Sequence, residues 1–376
     1  SKTSYGNAGV ISPWTCVPQS MPGLWKQVPR WLIDPEGPVS IRLGHLPKLM
    51  PWVLRFLAAG RSDRLDPVAD GLFRLSRGSV AAYKKRLAGT GQEHLVRDSM
   101  YVHVYRNSKA ASLDHLGWQL RQARQVPIEL IDKYALQEIE PHIADGFEAA
   151  ILIKQQGRAS DPAGIGIALA EKALAKGANH IQTKVHEIHP DEGGGCQLVT
   201  DQGVLTAKKI VLAAGVWSCQ LLARFGIKLP MEAERGYHLV LRNPGIEINH
   251  SVMDADQKYV ASLMEAGVRV AGTAEFAGLE AAPNYARARR FADQAKMLFP
   301  QLNCADPHEW MGSRPSFPDS LPCLGTIPGV KNIIAAFGHS HYGLGMAPAT
   351  SEIIADCIDK TIDCETLLPY SITRFR

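Results

Sequence analysis

The residues best placed to do chemistry lie near the carboxyl end, where the apolar run Asn332 to Phe337 passes through the loop GHSHYGLG into a helical pattern that extends to about Lys360. A strand that feeds a helix through glycines gathers free backbone N–H groups and the positive end of the helix dipole at one point, a setting suited to an anionic ligand group. Gly338, Gly343 and Gly345 allow close backbone approach there. Many α/β proteins use such a turn only for packing, so spacing alone leaves both readings open. His339 and His341 could begin a metal site, but no third ligand is spaced to join them and no HExxH is present, so no metal is expected.

Two further segments could carry function. Within Ile210 to Ser218 the run VLAAGVWS reads as a buried strand ending in the small residues Ala213, Ala214 and Gly215, with Ser218 placed to cap a helix running to Phe225. The carboxyl end of a strand is where an α/β sheet admits a nucleotide, although tight strand–helix packing would use the same residues. In Gly312-Ser313-Arg314-Pro315, after a strand expected over His308 to Met311, Arg314 is a candidate bidentate clamp for a carboxylate. The alternative is an ordinary surface arginine.

The elements that would position these groups fall into two alternating kinds. An amphipathic helix is expected from Leu65 to Leu87, a strand over Met100 to Arg106, a helix over Ser108 to Gln125 and a short strand over Val126 to Ile131. Asp161 and Pro162 open a helix that ends at Gly177, followed by a strand at Ile181 to Val185. A hairpin follows, with Cys196 to Thr200 and Val204 to Ala207 on either side of Asp201-Gln202-Gly203. The stretch Glu234 to Phe276 is rich in strand patterns, and Ala286 to Phe299 is helical. Two α/β blocks separated by strand-rich blocks predict two domains assembled from discontinuous segments.

At 376 residues the chain is long enough for two domains, and 45% hydrophobic with 21% charged residues is the composition of a globular protein. No apolar run reaches the roughly 18 residues of a membrane-spanning helix. Seven scattered cysteines without a CxxC pair indicate neither a disulfide framework nor a zinc ribbon, so a reducing, cytoplasmic setting is expected. The net charge of +4 hides an asymmetry, because residues 1–110 carry +9 and the remainder −5. A basic first third with Trp25, Trp31, Trp52 and Phe56 among its cations suggests a peripheral contact at the inner face of the cell membrane, core packing of those aromatics being the alternative.

Taken in order, SKTSYGNAGVIS, VLAAGVWS, ERGYHLVL, MGSRPSFPDSLPCLG and AAFGHSHYGLGMAPATSEIIAD resemble the FAD-dependent D-amino-acid oxidase and dehydrogenase superfamily, most of all its bacterial D-amino-acid dehydrogenase branch. The resemblance spans nearly the whole chain. It implies an α/β and α+β protein, with a discontinuous Rossmann-like FAD-binding domain (residues 1–24, 146–228 and 318–376) and a sheet-based substrate domain (25–145 and 229–317).

The resemblance also assigns residues. Ser4, Tyr5, Gly6, Asn7, Ala8 and Gly9 match the loop that passes the flavin, Val185 the residue whose backbone meets the adenine, and Ala213, Ala214, Gly215 and Trp217 the turn near the nucleotide. Gly338, Gly343, Leu344, Gly345 and Met346 match the backbone donors to the flavin. Arg314 matches the arginine that holds the substrate carboxylate, Tyr237 sits where the substrate domain approaches the flavin, and His341 is a candidate for tuning the local field. FAD is expected to bind non-covalently, since Cys323 has no activating neighbour in its turn.

The implied reaction is oxidative deamination of an amino acid, with hydride passing to flavin N5 and electrons leaving to a quinone or protein acceptor. An amino-acid substrate, no nucleic acid, and a homo- or hetero-oligomer complete the expected partners. Members of this superfamily begin with a strand, a GxGxxG turn and a helix, none of which is present, so roughly 35 to 45 further residues are expected upstream of Ser1. Gly164-Ile165-Gly166 is no substitute, because it lies inside a helical pattern. Two rival readings remain: an enzyme for secondary amino acids such as sarcosine, hydroxyproline or an opine, acting within a hetero-oligomer, and a non-catalytic flavoprotein subunit.

Overall fold

The computed structural model describes residues 3–27, 29, 37–190, 194–362 and 367–375. Its strands in chain order are β1 (Val10–Ile11), β2 (Val39–Ile41), β3 (Val96–Tyr105), β4 (Ile128–Asp132), β5 (Ala149–Ala159), β6 (Val185–Pro190), β7 (Cys196–Thr200), β8 (Gly203–Ala207) and β9 (Ile210–Leu212). They continue with β10 (Glu232–Leu241), β11 (Ser251–Asp254), β12 (Tyr259–Met264), β13 (Gly267–Ala271), β14 (Ala274–Phe276), β15 (Pro307–Ser316), β16 (Cys323–Ile327) and β17 (Val330–Phe337). The helices are α1 (Leu46–Ala59), α2 (Ser62–Ser76), α3 (Ser79–Leu87), α4 (Leu116–Ala123), α5 (Lys133–Ile139), α6 (Pro162–Ala175), α7 (Ser218–Leu222), α8 (Ala286–Arg289), α9 (Phe291–Leu298) and α10 (Gly343–Asp359).

Among the described residues one mixed sheet of 11 strands dominates. Strand β5 is long enough to pair with β3 along one edge and with β1 and β4 along the other. At the far end β10 pairs with β13 and β14 on one side and with β15 on the other. Alternate residues of β3 and β10, among them Val102, Val104, Leu239 and Leu241, enter a core closed by Phe291 and Leu298 of α9. Among the described residues two three-stranded sheets accompany it: β16-β17-β9, in which β17 and β9 run parallel, and the antiparallel meander β6-β7-β8. Ile210, Leu212, Phe317, Ile333 and Phe337 form the core that unites them.

Several sequence expectations need correction. The helix expected over Leu65 to Leu87 is two helices, broken where Gly78 takes φ +74°. Asn107 accepts from Lys109 N–H and holds Ser108–Ala110 as a 3-10 turn, so α4 starts only at Leu116. The strand expected at Ile181 begins at Val185, and the helix over Ala286 to Phe299 divides at Arg290. Ser218 heads α7 without making a capping bond. The expected aromatic membrane face is not formed as drawn: Trp52 and Phe56 are buried and stack on each other at 4.9 Å, while Trp25 is 62% exposed. Trp31 lies outside the described residues.

Candidate active site

The β10–β15 ladder builds the site face by strand alternation. Its register sets Glu234 opposite Arg314, Gly236 opposite Gly312 and His238 opposite Trp310, so these six residues share one face. Two flat groups lie along it. A Cβ on Gly236 would stand 2.2 Å from the Arg314 guanidinium, and one on Gly312 would stand 2.1 Å from the Trp310 indole; only glycine at both positions lets these side chains lie flat on the strands. His238 stacks on Trp310 at 4.9 Å and 17°, as a neutral ring, because burial and the nearby Arg269 hold it down to about 3.

Glu234 organises the end of this face. Its Oε1 accepts from Arg314 Nη1 at 3.0 Å and from His341 Nε2, and its Oε2 accepts from Ser316 Oγ at 2.8 Å. Burial alone would raise this carboxyl; His341, Arg314 and the Ser316 hydroxyl together bring it to about 2, so it is ionised. Arg314 Nη1 also donates to Thr273 O at 3.1 Å, while Nη2 and Nε make no hydrogen bond with the described residues and the side chain stays 20% exposed. Half of the guanidinium is anchored and half is open to a ligand.

The loop after β17 reaches this point because Ser316 bridges His339 at the end of β15. Gly338 turns the chain at φ +87°, and a Cβ there would sit 2.1 Å from the Phe317 ring. His339 instead binds Thr350 Oγ1 at 2.9 Å, and burial lowers it to about 4. Met346 N–H makes the first bond of α10, to Tyr342 O at 3.0 Å, so the amides of Gly343, Leu344 and Gly345 precede the helical ladder and no side chain caps them.

The amino-terminal loop lies across the same strands. Arg269 Nη1 donates to Tyr5 O at 2.9 Å and Asn7 O at 2.7 Å, Thr3 Oγ1 donates to Ser313 O at 2.7 Å, and the Asn7 carbonyl side chain holds Gly9 N–H at 2.8 Å. Gly6 O meets His238 Nδ1 at 3.2 Å, and Ser4 and Ala8 complete the loop. The turn Gly215–Trp217, preceded by Ala213 and Ala214, follows β9, and Val185 starts β6 opposite Thr200.

Among the residues chosen from sequence, the structure therefore brings Arg314, His341 and the loop from Tyr5 to Gly9 onto one sheet face and its border. Tyr237 is not among them. It alternates to the opposite face of β10, where its buried hydroxyl donates to Glu275 Oε2 at 2.7 Å and accepts from Asn284 N–H at 2.9 Å. Strand parity alone separates it from Glu234, and parity read along ERGYHLVL would have shown this. Glu234, Ser316, Trp310 and Arg269 were missed. For Glu234 the local sequence offers no distinguishing signal, since Glu232, Arg235 and His238 share its strand; it and the others depend on pairing between distant segments.

Residues 1–357 match the family described as FAD dependent oxidoreductase. The chain is 35% identical over 377 residues to a D-amino-acid oxidase of Bradyrhizobium diazoefficiens, covering 99% of this chain and 89% of that protein. It is 29% identical over 389 residues to a D-amino acid dehydrogenase of Paramagnetospirillum magneticum, covering 100% and 90%. A glycine oxidase from Geobacillus kaustophilus shares the fold, with a TM-score of 0.70 at 23% identity over 82% of this chain and 83% of that one.

Proposed function

The chain belongs to the family of FAD-dependent oxidoreductases, and from that premise we propose that it deaminates an amino acid oxidatively, with D-amino acids preferred. The observation that carries this reading is the half-anchored Arg314, whose free Nη2 and Nε edge suits a carboxylate beside His341.

The residues present fit the cofactor. The uncapped amides of Gly343, Leu344 and Gly345, the buried Ser340 and Ser218 hydroxyls that lack a partner among the described residues, and the open space beside Gly215 are what an extended dinucleotide requires. These groups, with the Tyr5 to Gly9 loop and Val185, are our candidates to hold FAD, within a flavin domain of residues 1–24, 146–228 and 318–376. When bound, FAD supplies a two-electron acceptor for the hydrogen on the substrate α-carbon.

The chain's own residues position and polarise. Arg314 fixes the substrate carboxylate and so orients the α-hydrogen, while Glu234 prevents the guanidinium from swinging away. The head of α10 places positive potential where negative charge grows. The amine proton leaves to solvent, and no side chain is assigned as base. Water then adds to the imino acid and releases the 2-oxo acid and ammonia.

A quinone or protein carrier is our choice of electron acceptor, reached at a membrane surface. Exposed Trp25, Leu43 and Leu54 among Lys26, Arg42, Lys48 and Arg55 support a peripheral contact. Among the described residues no helix is long and apolar enough to cross a membrane. Product analysis tests the reading: FAD-loaded protein with a dye acceptor should form ammonia and 2-oxo acid in equal amounts from D-amino acids. Turnover confined to sarcosine, hydroxyproline or opines would replace it with the secondary-amine reading.

A further inference from the structure

Beyond the Glu234–Arg314 pair, another arginine faces the interior, this one with no acidic partner among the described residues. Arg121, on α4, lays its guanidinium over the Trp118 ring at 4.5 Å and donates from Nη1 to Gly117 O at 3.0 Å. Among the described residues no carboxylate pairs with it; the nearby Asp70 is taken by Arg124 at 2.6 Å. The titratable groups that act on it most are Tyr101, Tyr105, Tyr342 and the Cys16 thiol. Tyr101, His103 and Tyr105 share one face of β3, the Tyr101 and His103 rings being 4.4 Å apart and His103 meeting Trp118 edge-on at 5.1 Å. His103 Nε2 is buried with no hydrogen-bond partner among the described residues.

This cluster adjoins the site already described. Tyr342 follows His341, its ring 6.3 Å away, and its hydroxyl donates to Val17 O at 3.0 Å; Cys16, next in sequence, donates its thiol to Leu120 O beside Arg121. Arg121, Tyr101, His103 and Tyr342 all retain some accessible surface although they lie deep in the protein. A cation so placed, desolvated and unpaired, is costly unless an anion joins it. Arg314 already has Glu234 and Arg269 spends Nη1 on the Tyr5 and Asn7 carbonyls, whereas Arg121, with one carbonyl contact, is the cation of this cluster that no carboxylate offsets among the described residues.

We propose that Arg121 reads a second carboxylate, carried on the substrate's side chain, while Arg314 holds the α-carboxylate, and hence that the preferred substrates are acidic amino acids. The inference deepens the amino-acid oxidase reading and rests on it. Trp118 braces the guanidinium plane, and His103 Nε2 is available as a further polar contact.

The test uses FAD-loaded full-length protein and compares D-aspartate and D-glutamate with their amide isosteres D-asparagine and D-glutamine. Wild type should favour the acids. Arg121→Met should lower kcat/KM for the acids about 10- to 150-fold, the range of one charged hydrogen bond, and leave the amides nearly unchanged. Equal losses for acids and amides, or wild-type preference for the amides, would overturn the assignment. Calorimetry with succinate against butyrate reads the same site without turnover: succinate should bind wild type at least about tenfold more tightly, an advantage that Arg121→Lys reduces and Arg121→Met abolishes. If no amino acid reduces the flavin but succinate keeps this Arg121-dependent advantage, the oxidase reading fails and the anion site stands. If succinate shows no advantage, the anion site fails whatever the enzyme oxidises.

Discussion

Glu234 and Arg314 face each other across the β10–β15 ladder and are joined by a hydrogen bond of 3.0 Å, with His341 on the same carboxylate oxygen. The carboxylate is 4% exposed and the guanidinium 20%, so the pair straddles the boundary between sheet and site. A buried carboxylate thereby sets the position of a half-open guanidinium.

The pH dependence of stability follows from that arrangement. Glu234 is held down to about 2 from an ordinary 4.5, so its contribution is present above 4.5 and is lost as pH falls toward 2. Glu234→Gln should therefore be less stable than wild type at pH 7, by on the order of 1–3 kcal/mol, with the gap narrowing below pH 4.5. Urea unfolding of both proteins from pH 7 to 4 checks this; a gap that widens on acidification would mean the carboxyl is not ionised in the native state.

Arg314→Lys replaces a planar fork with a point charge that cannot serve Glu234, Thr273 O and a substrate at once. Charged hydrogen bonds are worth about 1.5 to 3 kcal/mol each, so kcat/KM for amino acids should fall roughly tenfold to more than a hundredfold. FAD content should not change. Amines without a carboxylate should lose much less, and unchanged kcat/KM for amino acids would remove Arg314 from the role of clamp.

How much of this was legible in the sequence depended on whether the information was local. The path from Asn332 through the glycine loop into α10, the hairpin Cys196 to Ala207 and the Asp161-Pro162 helix start are each written in a dozen neighbouring residues, and each is found in place. Arg314 was visible because RP follows GS in a fixed pattern. What surrounds it was not: Glu234 lies 80 residues away and meets it only through strand register. Tyr237 differs: its place on the face opposite Glu234 follows from local strand parity, which motif proximity ignores. The break at Gly78 was overlooked because Leu72, Leu75, Val80 and Tyr83 keep a nearly helical spacing across it.

Gly338→Ala tests the loop that brings His341 to Glu234. An alanine would have to adopt φ near +87° and force its Cβ into the Phe317 ring. Left-handed strain and overpacking together predict a loss of about 2–4 kcal/mol. A clear fall in Tm with weakened FAD retention is expected; a variant as stable as wild type would mean the loop can take another path.

Acceptor use separates a dehydrogenase from an oxidase. Oxygen turnover, followed as peroxide, should be slow relative to reduction of a quinone or dye by the same enzyme and substrate. Stoichiometric peroxide at matching rates would contradict the proposed carrier, and binding to anionic vesicles that is lost on replacing Trp25 and Leu54 would support the membrane contact.

The most direct measurement is anaerobic mixing of the FAD-loaded full-length protein with single amino acids, following the visible flavin absorbance. The account predicts complete bleaching by D-amino acids, little or none by their L-enantiomers, and much slower bleaching of Arg314→Lys at the same substrate concentration. Flavin that stays oxidised with every amino acid offered, while dithionite reduces it normally, would contradict it.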